Sequence, residues 1–133
     1  MEILSISTHQ RVDMIDITPD VNRIVQASDI QNGIVTVFVP HTTCGITINE
    51  HADPDVKRDI LFQLEKIAPY EKGYRHYEKN ADSHIKTSLI GSSETILLED
   101  GNVILGTWQG LFLCDFDGPR VRKVYVKILG DAS

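Results

Sequence analysis

The run IVTVFVPHTTCGITINEHADP, residues 34–54, holds two kinds of segment. Its first six residues are apolar at all but Thr36, the pattern of a strand covered on both faces. From Pro40 the composition turns polar, with His41, Thr42, Thr43, Cys44, Thr47, Asn49, Glu50, His51 and Asp53 around only two isoleucines. If 43–50 is one strand, Cys44, Ile46, Ile48 and Glu50 share one face, and Thr43, Gly45, Thr47 and Asn49 the other. At ~3.3 Å per residue, Cys44 and Glu50 then lie roughly 20 Å apart. The stretch has two polar ends, His41 to Cys44 and Asn49 to Asp53. Joining them on one small ligand takes a bend, for which Gly45 is the expected place, or a neighbouring subunit.

Working outward, Asp53-Pro54-Asp55 combines a capping carboxylate, a proline preset for the first turn and an acid beside the helix N-terminus. Val56, Ile60, Leu61, Leu64, Ile67 and Ala68 form the apolar stripe of the helix that follows, which ends before Pro69. Thr18-Pro19-Asp20 has the same chemistry, with Thr18 as hydroxyl cap and Val21, Ile24 and Val25 on the buried face. A third helix is expected over 81–90, with Asn80 or Asp82 as cap, Ile85 and Leu89 inside, and Gly91 as stop. Residues 3–9 and 11–17 read as a strand pair or one long bent strand. Thr95 to Glu99 and Val103 to Thr107 flank Asp100-Gly101, a hairpin turn, and Asp117-Gly118-Pro119 reads as another turn. The outcome is an α+β fold, β-sandwich-like antiparallel sheets with two or three short helices, the strands mostly linked by hairpins, in one domain over 1–133.

A chain of 133 residues with net charge −6 lacks the basic footprint that nucleic acid or an anionic membrane requires. No apolar run reaches the ~18 residues that cross a bilayer, and the first residues look like a strand, not a leader. The expected location is the cytoplasm, with Cys44 and Cys114 reduced.

Cys44 reads either as a nucleophile activated by His41 or as a buried thiol. His84 falls in the first turns of the third helix beside Asn80 and Asp82, where free amides favour an anion and a histidine beside a carboxylate suits proton transfer. His9 and His51 read as ordinary surface or capping residues. No HExxH, CxxC or phosphate-cradling glycine loop is present, so His41, His76 and His84 converge only if the fold brings them together. Gln109, next to Trp108 and between Gly106 and Gly110, offers an amide for hydrogen bonding. Asp115, Asp117, Arg120 and Arg122 read as ion pairs holding the last turn, or Arg120 serves a phosphate.

The segments PHTTCGITINE, Asp53-Pro54-Asp55, Tyr74-Arg75-His76, NADSHIK (80–86), LGTWQG (105–110) and Asp117-Gly118-Pro119-Arg120 together resemble the YjbQ family, along the whole chain. The resemblance implies a homotrimer and a weak thiamine-phosphate synthase activity. That reaction joins hydroxymethylpyrimidine diphosphate to thiazole phosphate and releases pyrophosphate. It needs no protein nucleophile, but it needs charge stabilisation of the leaving diphosphate, usually with Mg²⁺. On that reading His41, Cys44, Asp82 and His84 form the catalytic set, and Thr42, Asn49, Asn80, Gln109 and Arg120 bind a small phosphorylated substrate. Glu50, His76 and His84 are the candidate ligands for Mg²⁺ or Zn²⁺, and no organic cofactor is expected. The alternatives are a metal-dependent hydrolase or transferase using His41, Cys44 and His84, and a non-catalytic trimeric module that binds metal or phosphate.

Overall fold

The computed structural model of the chain describes residues 1–71, 73–75 and 79–132. In chain order the elements are β1 (Glu2–Ser7), β2 (Asp13–Asp16), α1 (Thr18–Ser28), β3 (Gly33–Phe38), β4 (Cys44–Glu50), α2 (Pro54–Ile67), α3 (Ala81–Ile90), β5 (Ser93–Glu99), β6 (Asn102–Val103), β7 (Gln109–Asp115) and β8 (Val121–Gly130). The strands form a five-stranded sheet, β1-β8-β3-β5-β6, and a three-stranded sheet, β2-β7-β4. All paired strands run antiparallel. The α+β sandwich expected from the sequence is the observed one.

The sheets share one core, in which Val35, Val37, Ile96, Leu98, Val124 and Val126 meet Cys44, Ile46, Leu111 and Leu113, with Ile17, Val21 and Val25 closing one side. The opposite face of the small sheet carries Met14, Phe112, Cys114 and Phe116, and Leu64 of α2 packs over them. The strand buried on both faces is therefore β7. β3 alternates instead, with Val35 and Val37 buried and Phe38 exposed, so its nearly all-apolar sequence is covered fully on one side only.

The connections differ from the expected hairpins. β5 and β6 form the Asp100-Gly101 hairpin, in which both turn residues take positive φ (51° and 78°). The other links cross between sheets: β1 pairs with β8, whereas β2 pairs with β7. Residues 3–9 and 11–17 are thus neither a strand pair nor one strand. Alternation sets which face of a strand is apolar but carries no information on its partner.

Helix starts follow local chemistry in part. Asp53 accepts from the Asp55 N–H at 2.9 Å, as its position before Pro54 predicts. Thr18 does not cap its helix; its Oγ1 accepts from the Leu111 N–H at 2.8 Å, fastening α1 to β7. Asn80 holds the cap position of α3 but makes no cap bond. Ile67 is exposed, off the packed stripe of α2.

α3 is turned opposite to its apolar pattern. Ile85 and Leu89 are 38% and 57% exposed, while Asp82, Ser83, Lys86 and Thr87 are buried. The cause is an ion-pair network. Asp82 accepts from Arg11 at 2.9 and 3.2 Å and from Lys86 at 2.8 Å, and Lys86 also reaches Glu65 of α2 at 2.6 Å. Burial alone would raise the Asp82 pKa, but Arg11 and Lys86 hold it below the ordinary carboxylate value.

Candidate functional site

β4 pairs with β7 without a bulge from Cys44↔Asp115 to Glu50↔Gln109, so Gly45 is not a bend. Its role is close approach: a Cβ there would lie 2.5 Å from the Gly91 carbonyl oxygen, which accepts from the Ile46 N–H at 3.0 Å. The C-terminal end of α3 therefore rests on the start of β4. Beside that contact opens a cleft of about 490 Å³, lined by His41 and Thr42 from the β3–β4 loop, His84, Thr87 and Ser88 from α3, and Gly91 and Ser92.

His84, Thr87, Ser88 and Gly91 stand at i, i+3, i+4 and i+7, one face of a helix. Asp82 and Lys86 occupy the other face, so the fold separates Asp82 from His84. The N-terminal turn of α3, the expected anion seat, faces the protein's own carboxylate, since Asn80 Nδ2 donates to Asp117 at 2.8 Å.

His41 is held by its ring. The Lys123 backbone N–H donates to His41 Nε2 at 2.9 Å, occupying that nitrogen's lone pair. The neutral ring must then carry its proton on Nδ1. In this tautomer neither nitrogen is open to a metal, and the group left to offer a ligand is an N–H donor. Burial, then the charge of Arg122, lowers the His41 pKa from its ordinary 6.5 despite the nearby Asp115, favouring the neutral ring.

Behind the loop lies a second buried network. Arg122 donates to Asp115 at 2.7 Å and to the Thr43 hydroxyl at 2.8 Å, clamping the residues next to His41 onto β8. Asp115 also accepts from the Thr8 hydroxyl at 2.7 Å and the Asp117 N–H at 3.0 Å. Burial pulls the Asp115 pKa up, but the bonds from Arg122, Thr8 and Asp117 bring it below the ordinary value. Arg120 pairs with Asp117 at 3.1 Å, so these four charges form the ion pairs expected around the last turn.

Cys44 is fully buried, and burial, with the Asp115 charge adding, pushes its thiol up to about 12. Such a thiol is protonated at neutral pH and has no path to a substrate, so the buried-thiol reading applies. Cys114 is likewise free and buried.

Asn49, Glu50 and Gln109 lie at the far end of β4 and β7, away from the cleft. Gln109 Oε1 accepts from the Gly106 N–H at 2.7 Å, and Glu50 accepts from the Ala52 N–H at 3.2 Å. His51 is more than a surface residue there: its Nδ1 lies 3.0 Å from Asp16, reaching over Gly110. His76 lies outside the described residues. Among the described residues no three His, Cys, Asp or Glu side chains converge as a metal would need. Glu50 and His84 are at opposite ends of the small sheet, so they do not form one ligand set within a chain.

Thr87, Ser88, Ser92 and the Lys123 amide were not singled out by sequence. The helical spacing from His84 was the available signal for the first two; the others had none. Thr87 is the most informative, because its buried hydroxyl has no hydrogen-bond partner among the described residues. Such a group costs roughly 1–3 kcal/mol.

No helix among the described residues is long and apolar enough to cross a membrane. A family model described as UPF0047 protein YjbQ-like matches residues 2–131. UPF0047 protein MJ1081 of Methanocaldococcus jannaschii is 51% identical, covering 95% of this chain and 91% of its own. YugU of Bacillus subtilis, also a UPF0047 protein, is 47% identical over 98% of this chain and 99% of its own. A Clostridium acetobutylicum crystal structure of the same family superposes with a TM-score of 0.95 at 51% identity, covering 97% of this chain and all of that one. A Sulfolobus solfataricus protein of unknown function gives 0.94 at 34% identity, covering 98% and 96%. With a match that spans nearly the whole sequence and relatives this similar at full length, the chain belongs to the UPF0047 family of YjbQ-like proteins.

Proposed function

We propose that the His41/His84 cleft binds a small phosphorylated substrate and that the chain is a cytoplasmic transferase of the thiamine-phosphate synthase type. The observation that carries this reading is the bond from the Lys123 N–H to His41 Nε2, which makes His41 a neutral N–H donor. A neutral imidazole of this kind stabilises negative charge gathering on a phosphoryl oxygen without itself exchanging a proton. His84, on the opposite wall, then handles the proton, and Thr42, Ser88 and Ser92 orient the substrate. A departing diphosphate needs no nucleophile from the protein, which agrees with the buried Cys44 thiol. A hydrolase or transferase using His41, Cys44 and His84 would need His41 Nε2 released from the Lys123 N–H and Cys44 brought out of the core. Mg²⁺, on this proposal, arrives with the substrate's diphosphate.

The far ends of β4 and β7 enter only through assembly. In a homotrimer, Glu50 and Gln109 of one copy can approach the cleft of another, which the roughly 20 Å along β4 prevents within one chain. His41 and His84, lining one cleft, need no such sharing.

The test is product formation from hydroxymethylpyrimidine diphosphate and thiazole phosphate with Mg²⁺, together with pyrophosphate binding by calorimetry. His41→Phe should abolish binding and turnover, while Cys44→Ala should keep both. Turnover abolished by Cys44→Ala in a folded protein would overturn the mechanism.

A further inference from the structure

We infer that the groove between α1 and the β1–β8 end of the large sheet is a second binding site, for a small primary amine with an apolar body. It shares no lining residue with the His41/His84 cleft and does not rest on the phosphate reading.

The groove follows from a mismatch of layers. A three-stranded sheet and α1 do not fully cover the inner face of a five-stranded one. A cavity of about 420 Å³ remains, walled by Leu4 of β1, Ile128 of β8, Ile24 of α1 and Ile30, each only partly buried. Small residues keep it open: Ala27 and Ser28 stand three and four positions after Ile24 on one helical face and leave volume that larger side chains would fill. The Ser28 hydroxyl is engaged locally, donating to the Val25 carbonyl at 2.7 Å and accepting from the Ile30 N–H at 3.2 Å. The walls are therefore apolar, and the volume suits a small molecule.

The charged groups of the rim are Glu2 on one wall and Asp20 with Arg23 on the other. Alternation along β1 puts Glu2 on the side of Leu4 and Ile6, which faces the core, while Ile3 and Ser5 face outward. Asp20 is already paired with Arg23. Glu2 has no ion pair or hydrogen bond among the described residues, and the neighbouring Met1 amino group makes none with it. Its carboxylate is exposed, so a ligand reaches it directly. An accessible, unpaired carboxylate beside an apolar groove attracts a cation that carries hydrocarbon: the ammonium sits on Glu2 and the body lies against Leu4, Ile24 and Ile128. An acid of the same skeleton meets repulsion from Glu2, and an alcohol fills the groove without the ion pair.

The probes are phenethylamine, 2-phenylethanol and 3-phenylpropionate, titrated into the intact chain and followed by backbone amide NMR. Shifts should centre on β1, residues 24–28 of α1 and residues 126–128 of β8. The amine should bind about fivefold more tightly than the alcohol, the worth of an exposed ion pair, and the acid more weakly than either. Glu2→Gln should bring the amine to the level of the alcohol and leave the alcohol unchanged. Ala27→Phe, at an exposed helix position, fills the groove and should abolish binding of amine and alcohol alike while pyrophosphate binding at the cleft stays as in the wild type. Equal binding of amine and alcohol by the wild type would overturn the inference, as would shifts centred elsewhere or amine binding that survives Ala27→Phe. Sedimentation supplies the remaining outcome: no probe binding, with Ala27→Phe lowering the assembly mass, would give the groove to a second copy instead.

Discussion

His41 and Lys123 are 82 residues apart in sequence, and one hydrogen bond from the Lys123 backbone to His41 Nε2 decides what the histidine can do. The same strand supplies Arg122, which grips Thr43 through its hydroxyl. β8 thus fixes both the loop and the tautomer of the ring it presents. A backbone donor cannot be mutated away, so His41 is best tested through its protonation.

The pKa of His41 is lowered in the folded chain, by burial first and by Arg122 next. Above about pH 6.5, the unfolded value, the ring is neutral in both states and stability does not depend on it. As pH falls from there towards the folded pKa, only the unfolded chain takes up the proton, so stability falls; below the folded pKa the loss levels off. His41→Gln should flatten this slope in urea unfolding between pH 7.5 and 5. In nitrogen-detected NMR the ring should show Nδ1–H at neutral pH, and an Nε2–H tautomer would refute the donor assignment.

Cys44 and Cys114 should resist iodoacetamide in the native protein and react only as it unfolds. Cys44→Ala removes about one buried heavy atom from the shared core, for roughly 1 kcal/mol of stability. Rapid labelling of native Cys44, with loss of ligand binding, would restore the nucleophile reading.

Asp82 should behave as a structural anchor. Asp82→Asn leaves Lys86, only 1% exposed, with half-exposed Glu65 as its remaining carboxylate partner. Breaking a buried ion pair in this way costs about 3–5 kcal/mol, a large share of the 5–15 kcal/mol typical of a whole domain. Asp82→Leu with Lys86→Met should recover part of it, because no buried charge is then unpaired. A urea midpoint unmoved by Asp82→Asn would show that the network adds nothing.

The same network explains what the sequence could convey. Asp53 before Pro54 and Asp100-Gly101 act through their neighbours, so the start of α2 and the β5–β6 turn were legible. The orientation of α3 was not: an apolar stripe through Ile85 and Leu89 argues for burying that face, and only the partners Arg11 and Glu65, distant in sequence, reverse it. His41, Thr42 and His84 were legible as candidates by residue type. That they share a cleft, while Gln109 and Glu50 do not reach it, follows from β4 running unbent beside β7. The tautomer of His41 had no sequence signal at all, since a backbone amide is present at nearly every residue.

Two glycines of the small sheet stand at close contacts, Gly45 beside the cleft and Gly110 at the far end. At Gly45 an added Cβ would meet the Gly91 carbonyl oxygen at 2.5 Å, and the two backbones there are joined by the Ile46 to Gly91 hydrogen bond. Neither can yield without lifting the C-terminal end of α3 from β4, which would carry His84 and Thr87 away from His41. Gly45→Ala should therefore cost about 1–3 kcal/mol by overpacking and weaken pyrophosphate binding as well. At Gly110 the Cβ would lie 2.5 Å from His51 Nδ1 and 2.7 Å from His51 Cβ and Cγ, so turning the ring does not clear it and the chain at His51 must shift as well. Gly110→Ala should likewise cost about 1–3 kcal/mol by overpacking and give up the His51 to Asp16 contact, but at the far end of the small sheet it should leave binding at the cleft untouched. Equal effects of the two substitutions on pyrophosphate affinity would show that the Gly45 contact does not set the geometry of the cleft.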